Sequence, residues 1–135
     1  MKTEKIPTWI IAYGILQLVL AVLFGVMAYA NRGFQFPELI DVAGALFPIG
    51  LFANRNLGVA IALGAALFLR RRDMLFILFL VRFATDLFDF FLGMANAESF
   101  SVGTIIVQMV FFALILWIPE LFAMRHLWQD GQTAA

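Results

Sequence analysis

The chain has no cysteine and a single histidine, His126. Without cysteine there is no disulfide framework, no thiol redox centre, no iron–sulfur cluster and no Cys-based zinc site. One histidine cannot make a bis-histidine haem or a His-rich metal centre, and no cofactor is implied. Charge is scarce as well: 13% of residues are charged, nine basic against nine acidic, for a formal net charge of zero. A chain without a basic excess has no nucleic-acid footprint. What abounds is apolar: 64% of residues belong to the AVILMFWYC set, sixteen are phenylalanine, and the mean hydropathy is +0.96. A water-soluble domain is about 45–50% apolar and about 25% charged. These 135 residues therefore predict one domain housed in a lipid bilayer.

A helix needs about 20 mostly apolar residues to cross roughly 30 Å of hydrocarbon. Four stretches qualify, at about 8–30, 50–69, 74–94 and 102–124. The first is uncharged, the second closes on Arg70-Arg71-Arg72, the third holds three charges, and Pro119 and Glu120 interrupt the fourth near its end. Before the second span, Pro37, Glu38 and Asp41 give a helix-start signal, while Pro48 favours a kink or a break. Either one kinked helix runs from Pro37 to Leu69, or a short interfacial helix over 37–48 precedes a span starting near Gly50. The interfacial helix is the preferred reading. Lys2, Lys5 and the Ala28-Tyr29-Ala30 segment mimic a cleaved signal. Signal cores hold only about 7–15 apolar residues, so the first span is expected to stay.

With the N-terminus inside, Lys2, Lys5, Arg70, Arg71, Arg72 and Arg125 are cytoplasmic and only Arg32 is outside. That bias obeys the positive-inside rule and places both termini in the cytoplasm. Trp9, Tyr29, Trp117 and Trp128 are expected near the interfaces, as an aromatic belt. The fold class is thus all-α, a four-span membrane bundle.

Arg55, Arg82, Asp86 and Asp89 sit inside apolar runs. Each costs about 2.5–3.5 kcal/mol at a helix centre, so the third span loses roughly 8–10 kcal/mol. Its Leu, Ile, Val and Phe residues return roughly 4–8 kcal/mol. That helix is marginal alone and needs polar company. Arg82, Asp86 and Asp89 stand at i, i+4 and i+7 and share a face with Thr85 and Gly93. At 1.5 Å per residue, Arg55 is level with Asp86 and Asp89 on the neighbouring antiparallel helix, with Gln108 at a similar depth. Arg82 lies lower, near Gln17. The expected site is an upper layer of Arg55, Asp86, Asp89 and Gln108 above a lower one of Arg82 and Gln17. Gly50, Asn54, Gly58, Ala62 and Ala66 form a ridge at four-residue spacing. Small residues of that kind let helices approach closely in lipid. Asn54 and Asn56 border Arg55 and could orient its neighbours or line a wet cavity. Glu120 is expected to meet Arg125 or the Arg70–Arg72 turn near the cytoplasmic surface.

Arg55-Asn56-Leu57-Gly58 opens a span ending on Arg70-Arg71-Arg72, and the next span carries Asp86 and Asp89. This pattern resembles small four-helix bacterial membrane proteins of the DoxX-like group. The likeness covers roughly Gly50 to Gly93 and carries Arg55, Gly58 and Asp86 across. It implies a bacterial cytoplasmic membrane location and, for some members, redox partners such as a thiosulfate:quinone oxidoreductase.

The cluster has two readings beyond catalysis. A closed set of ion pairs would be structural, whereas an intramembrane ionisable residue is a functional-site candidate by default. No nucleophile–base pair or metal constellation speaks for an enzyme. The leading expectation is a ligand-binding or accessory membrane subunit without catalysis of its own. An ion- or proton-coupled carrier or channel is the alternative. Expected partners are the bilayer, a quinone or lipid ligand, and a membrane partner subunit or a second copy.

Overall fold

The computed structural model describes residues 6–30, 46–95 and 102–133. The described residues are helical, with no strand among them. Helix α1 spans Thr8–Ala30, α2 spans Leu46–Leu69 and α3 spans Arg72–Ala95. The last helix is continuous but changes pitch: α4 covers Val102–Phe111, a π-helical stretch covers Phe112–Trp117, and α5 covers Ile118–Thr133. The predicted interfacial segment over 37–48 lies almost wholly outside the described residues, so α2 is followed only from Leu46.

Three segments are long and apolar enough to cross a membrane: Thr8–Ala30, Ile49–Leu69 and Met109–Gln129. Each has at least 21 residues, about 32 Å of helix. The predicted third span is helical along its whole length, as α3, but is not among the three. Arg82, Asp86 and Asp89 in its interior, with Arg72 and Asp73 at its start, supply the charge that sets it apart. Large apolar side chains lie exposed on every helix, Val19, Ile61, Phe68, Phe88, Val107 and Phe122 among them.

The chain divides into two compact units, Met1–Arg71 and Arg72–Ala135. The first is an antiparallel hairpin of α1 and α2 held by small residues. On α1 the buried positions Ile10, Tyr13, Gly14, Gln17, Ala21, Gly25 and Ala28 recur every three or four residues, so they form one stripe. An added Cβ at Gly14 would stand 2.9 Å from Leu67, and at Gly64 it would stand 3.2 Å from Leu18. At Gly25 it would meet Leu57 at 2.8 Å and the backbone oxygen of Ala53 at 3.2 Å. Ala28, Ile49 and Ala53 close the other end with Phe52. The ridge predicted on α2 is not this contact line throughout: Ala66 is fully buried, but a Cβ at Gly50 or Gly58 would meet nothing within 4 Å. Close approach runs instead through Ala53, Leu57, Ala60 and Gly64, facing the α1 stripe.

The hairpin ends on the triple arginine. Arg70 adopts the left-handed conformation (φ 50°). Its N–H donates to the Leu67 carbonyl at 3.3 Å, and the Arg71 N–H donates to the Ala66 carbonyl at 3.1 Å. That pair of bonds is a Schellman cap, with arginine where glycine usually stands.

The second unit packs α3 antiparallel to the last helix through aromatic rings. Phe76 meets Trp128 at 5.6 Å, Phe83 meets Trp117 at 6.4 Å and Phe90 meets Phe112 at 6.3 Å. The π stretch ends just before Pro119, with the Ile118 N–H donating to the Ala113 carbonyl five residues back. Proline has no N–H and crowds the preceding turn. A widened turn accommodates it without breaking the helix.

Candidate functional site

Charge collects in the second unit. Arg82 and Asp86 lie one turn apart on α3, which puts them on the same face. Arg82 Nε is 3.0 Å from Asp86 Oδ2, and both side chains are more than nine-tenths buried. Thr85 Oγ1 donates to the Arg82 carbonyl at 2.8 Å, tying down the same turn. Asp89, half-buried, stands one turn further along.

Across the hairpin stands Glu120, in the first turn of α5 and fully buried. Neither of its carboxyl oxygens has a hydrogen-bond partner among the described residues. Asp86 and Arg82 are the charges that act on it. Register explains the meeting: Arg82 lies about 12 Å along the helix from Met74, and Glu120 about 13 Å from Gln129. Glu120 therefore belongs to the buried cluster and not to the surface near Arg125, where the sequence reading put it.

Trp117 is three residues before Glu120 and is ringed by phenylalanines. Its indole lies 5.2 Å from Phe90, 6.1 Å from Phe112 and 6.4 Å from Phe83. The indole Nε1 is buried without an acceptor. Trp117 lies within the apolar segment Met109–Gln129. Phe83, Asp86 and Phe90 on α3, at i, i+3 and i+7, thus face Phe112, Trp117 and Glu120. Aromatic and acidic side chains share one helix–helix contact.

The remaining predicted residues fall as follows. Arg55, half-buried, belongs to the first unit, where its guanidinium lies 5.4 Å from the Phe52 ring centre. Asp86 and Asp89 belong to the second unit. Gln17, 1% exposed, donates from Nε2 to the Tyr13 hydroxyl, while its Oε1 has no partner among the described residues. Asn54 accepts a 2.8 Å bond from the Tyr29 hydroxyl. Asn56 is buried and donates to the Phe52 carbonyl at 2.9 Å, one turn back on its own helix. The side chain of Gln108 lies outside the described residues. Among the described residues, no group of three or more His, Cys, Asp or Glu side chains is placed to hold a metal.

No protein-family model, no curated protein and no solved structure matches this chain. The comparisons therefore lend the likeness to the DoxX-like group no support.

Proposed function

We propose that the chain is a small four-span membrane protein with both termini in the cytoplasm, acting as a ligand-binding or accessory membrane subunit without catalysis of its own. Three helices have the length and apolarity for the bilayer, and exposed Ile61, Phe68 and Val107 suit contact with hydrocarbon. In this arrangement α3 also crosses the membrane, its charges sheltered by its neighbours.

The observation that carries the functional reading is Glu120 buried beside the Arg82–Asp86 pair. A structural ion-pair network leaves no acceptor unmet, because an unmet buried polar group costs about 1–3 kcal/mol. Glu120 has two such acceptors. A site that binds something keeps them for its occupant.

Native mass spectrometry of the full chain, released from mild detergent, tests this. The expected spectrum shows a lipid, quinone-sized molecule or partner chain on the wild type, lost in Glu120→Gln. Bare wild-type chain in repeated preparations would overturn the proposal.

A further inference from the structure

We infer that the Trp117–Glu120 face of the second unit binds a lipophilic organic cation, an ammonium or phosphonium carried on an apolar body. The inference rests on the ligand-binding reading above and names the ligand's chemical class.

Glu120 is fully buried, and neither of its two carboxyl oxygens has a hydrogen-bond partner among the described residues. Asp86 already has a guanidinium 3.0 Å away, whereas Glu120 has no ion pair or hydrogen bond among the described residues. A cation in direct contact is the complement it lacks among the described residues. A metal ion is a poor candidate, because hard cations demand about six oxygen ligands and the cluster offers two carboxylates. An organic cation needs one carboxylate, and the rest of its shell is apolar or aromatic.

The surroundings supply such a shell. Trp117, the strongest aromatic partner for a cation, stands one turn from Glu120 amid Phe83, Phe90 and Phe112. All four rings are only half-buried, so the aromatic set borders the surface while the acid lies beneath it. A ligand arriving from the hydrocarbon meets rings first and the carboxylate last. Its apolar body remains among phenylalanines, and its charge reaches a buried acid that has no hydrogen-bond partner among the described residues. Arg82, held by Asp86, disfavours a second cation, which sets the stoichiometry at one per chain.

The probe is tetraphenylphosphonium, with tetraphenylborate as an anion of the same shape. The full chain in mild detergent, with Trp9→Phe and Trp128→Phe so that Trp117 alone reports, is titrated while fluorescence and calorimetry are recorded. The expected result is saturable one-to-one binding of the phosphonium with a changed Trp117 emission, and none of the borate. Glu120→Gln should weaken binding about tenfold or more, which corresponds to ~1.4 kcal/mol. Should that variant not fold, Trp117→Phe keeps the aromatic packing and should weaken binding about threefold. Absence of saturable phosphonium binding, equal binding of the borate, or a response to protons alone would overturn the inference. If the phosphonium fails while native spectra still show an adduct lost in Glu120→Gln, the cation assignment falls and the ligand-binding reading stands. If both fail, both fall.

Discussion

Two glycines in the first hairpin make opposite predictions when each becomes alanine. At Gly25 the new methyl would stand 2.8 Å from Leu57 Cγ and 3.2 Å from the Ala53 carbonyl oxygen. Carbon atoms settle about 3.5–4.0 Å apart, so something must move by about 1 Å. Leu57 Cγ is a branch point and not a flexible tip, and Ala53 O is backbone, so the helices themselves must part. Overpacking of this kind costs about 1–3 kcal/mol, against a helix-propensity gain of about 1 kcal/mol for Gly→Ala. Gly25→Ala should therefore lose up to about 2 kcal/mol. At Gly58 a methyl meets nothing within 4 Å, so only the propensity gain operates. Gly58→Ala should match the wild type or exceed it by up to about 1 kcal/mol. The assay is equilibrium unfolding of the full chain in mixed micelles as the fraction of sodium dodecyl sulfate rises, read by tryptophan fluorescence. Equal losses at both positions, or a gain at Gly25, would refute the assignment of the contact line to Ala53, Leu57 and Gly64.

Two further substitutions probe the cap and the charged cluster. Arg70→Gly should raise stability by about 1 kcal/mol in the same unfolding assay, because glycine takes the left-handed conformation without the penalty that arginine bears. An unchanged midpoint would mean that the residue 70 side chain repays that strain. Arg82→Leu should destabilise the chain by about 3–5 kcal/mol, since it leaves the buried Asp86 without its guanidinium partner and close to Glu120. Asp86→Leu should cost less, because Arg82 keeps Glu120 as a neighbour. Thermal unfolding of both variants in mild detergent checks the order, and the reverse order would count against Glu120 as a member of the cluster.

The helical class and three segments long and apolar enough to cross a membrane were legible from composition and run length, the uncharged Thr8–Ala30 most plainly. The i, i+4 spacing of Arg82 and Asp86 likewise announced that they share a face. Glu120 was misplaced for one reason. With the fourth span ending at about residue 124, Pro119 and Glu120 fell near its cytoplasmic end, which moved the carboxyl towards the surface. The π-helical turns ahead of Pro119 let the helix continue to Thr133, and the apolar segment reaches Gln129. Measured from Gln129, Glu120 falls level with Arg82, and sequence alone could have found that match. The contact line on α2 was harder to see. A four-residue ridge and the heptad-like stripe of Ile49, Ala53, Asn56, Ala60 and Leu63 overlap on one helix, and only the small residues on α1 choose between them.

The two hairpins hold their helices together by different means, which in a bilayer would answer the same packing problem. Between apolar helices there is little hydrophobic driving force, so association relies on close packing and polar contacts. The first hairpin uses close packing, with Gly14, Gly25, Ala21 and Ala28 on α1 admitting Leu57 and Leu67 from α2. Such a contact is filled by backbone and methyl groups and offers a ligand nothing. The second hairpin uses bulky rings and buried charge around a widened helical turn, which is the more costly way to hold two helices together. Were adhesion the sole requirement, leucine at position 120 would serve better than a carboxyl with two unmet acceptors. Retaining glutamate there makes sense if the hairpin trades stability for an occupant, and the aromatic rings above it are the part of the structure suited to receive one.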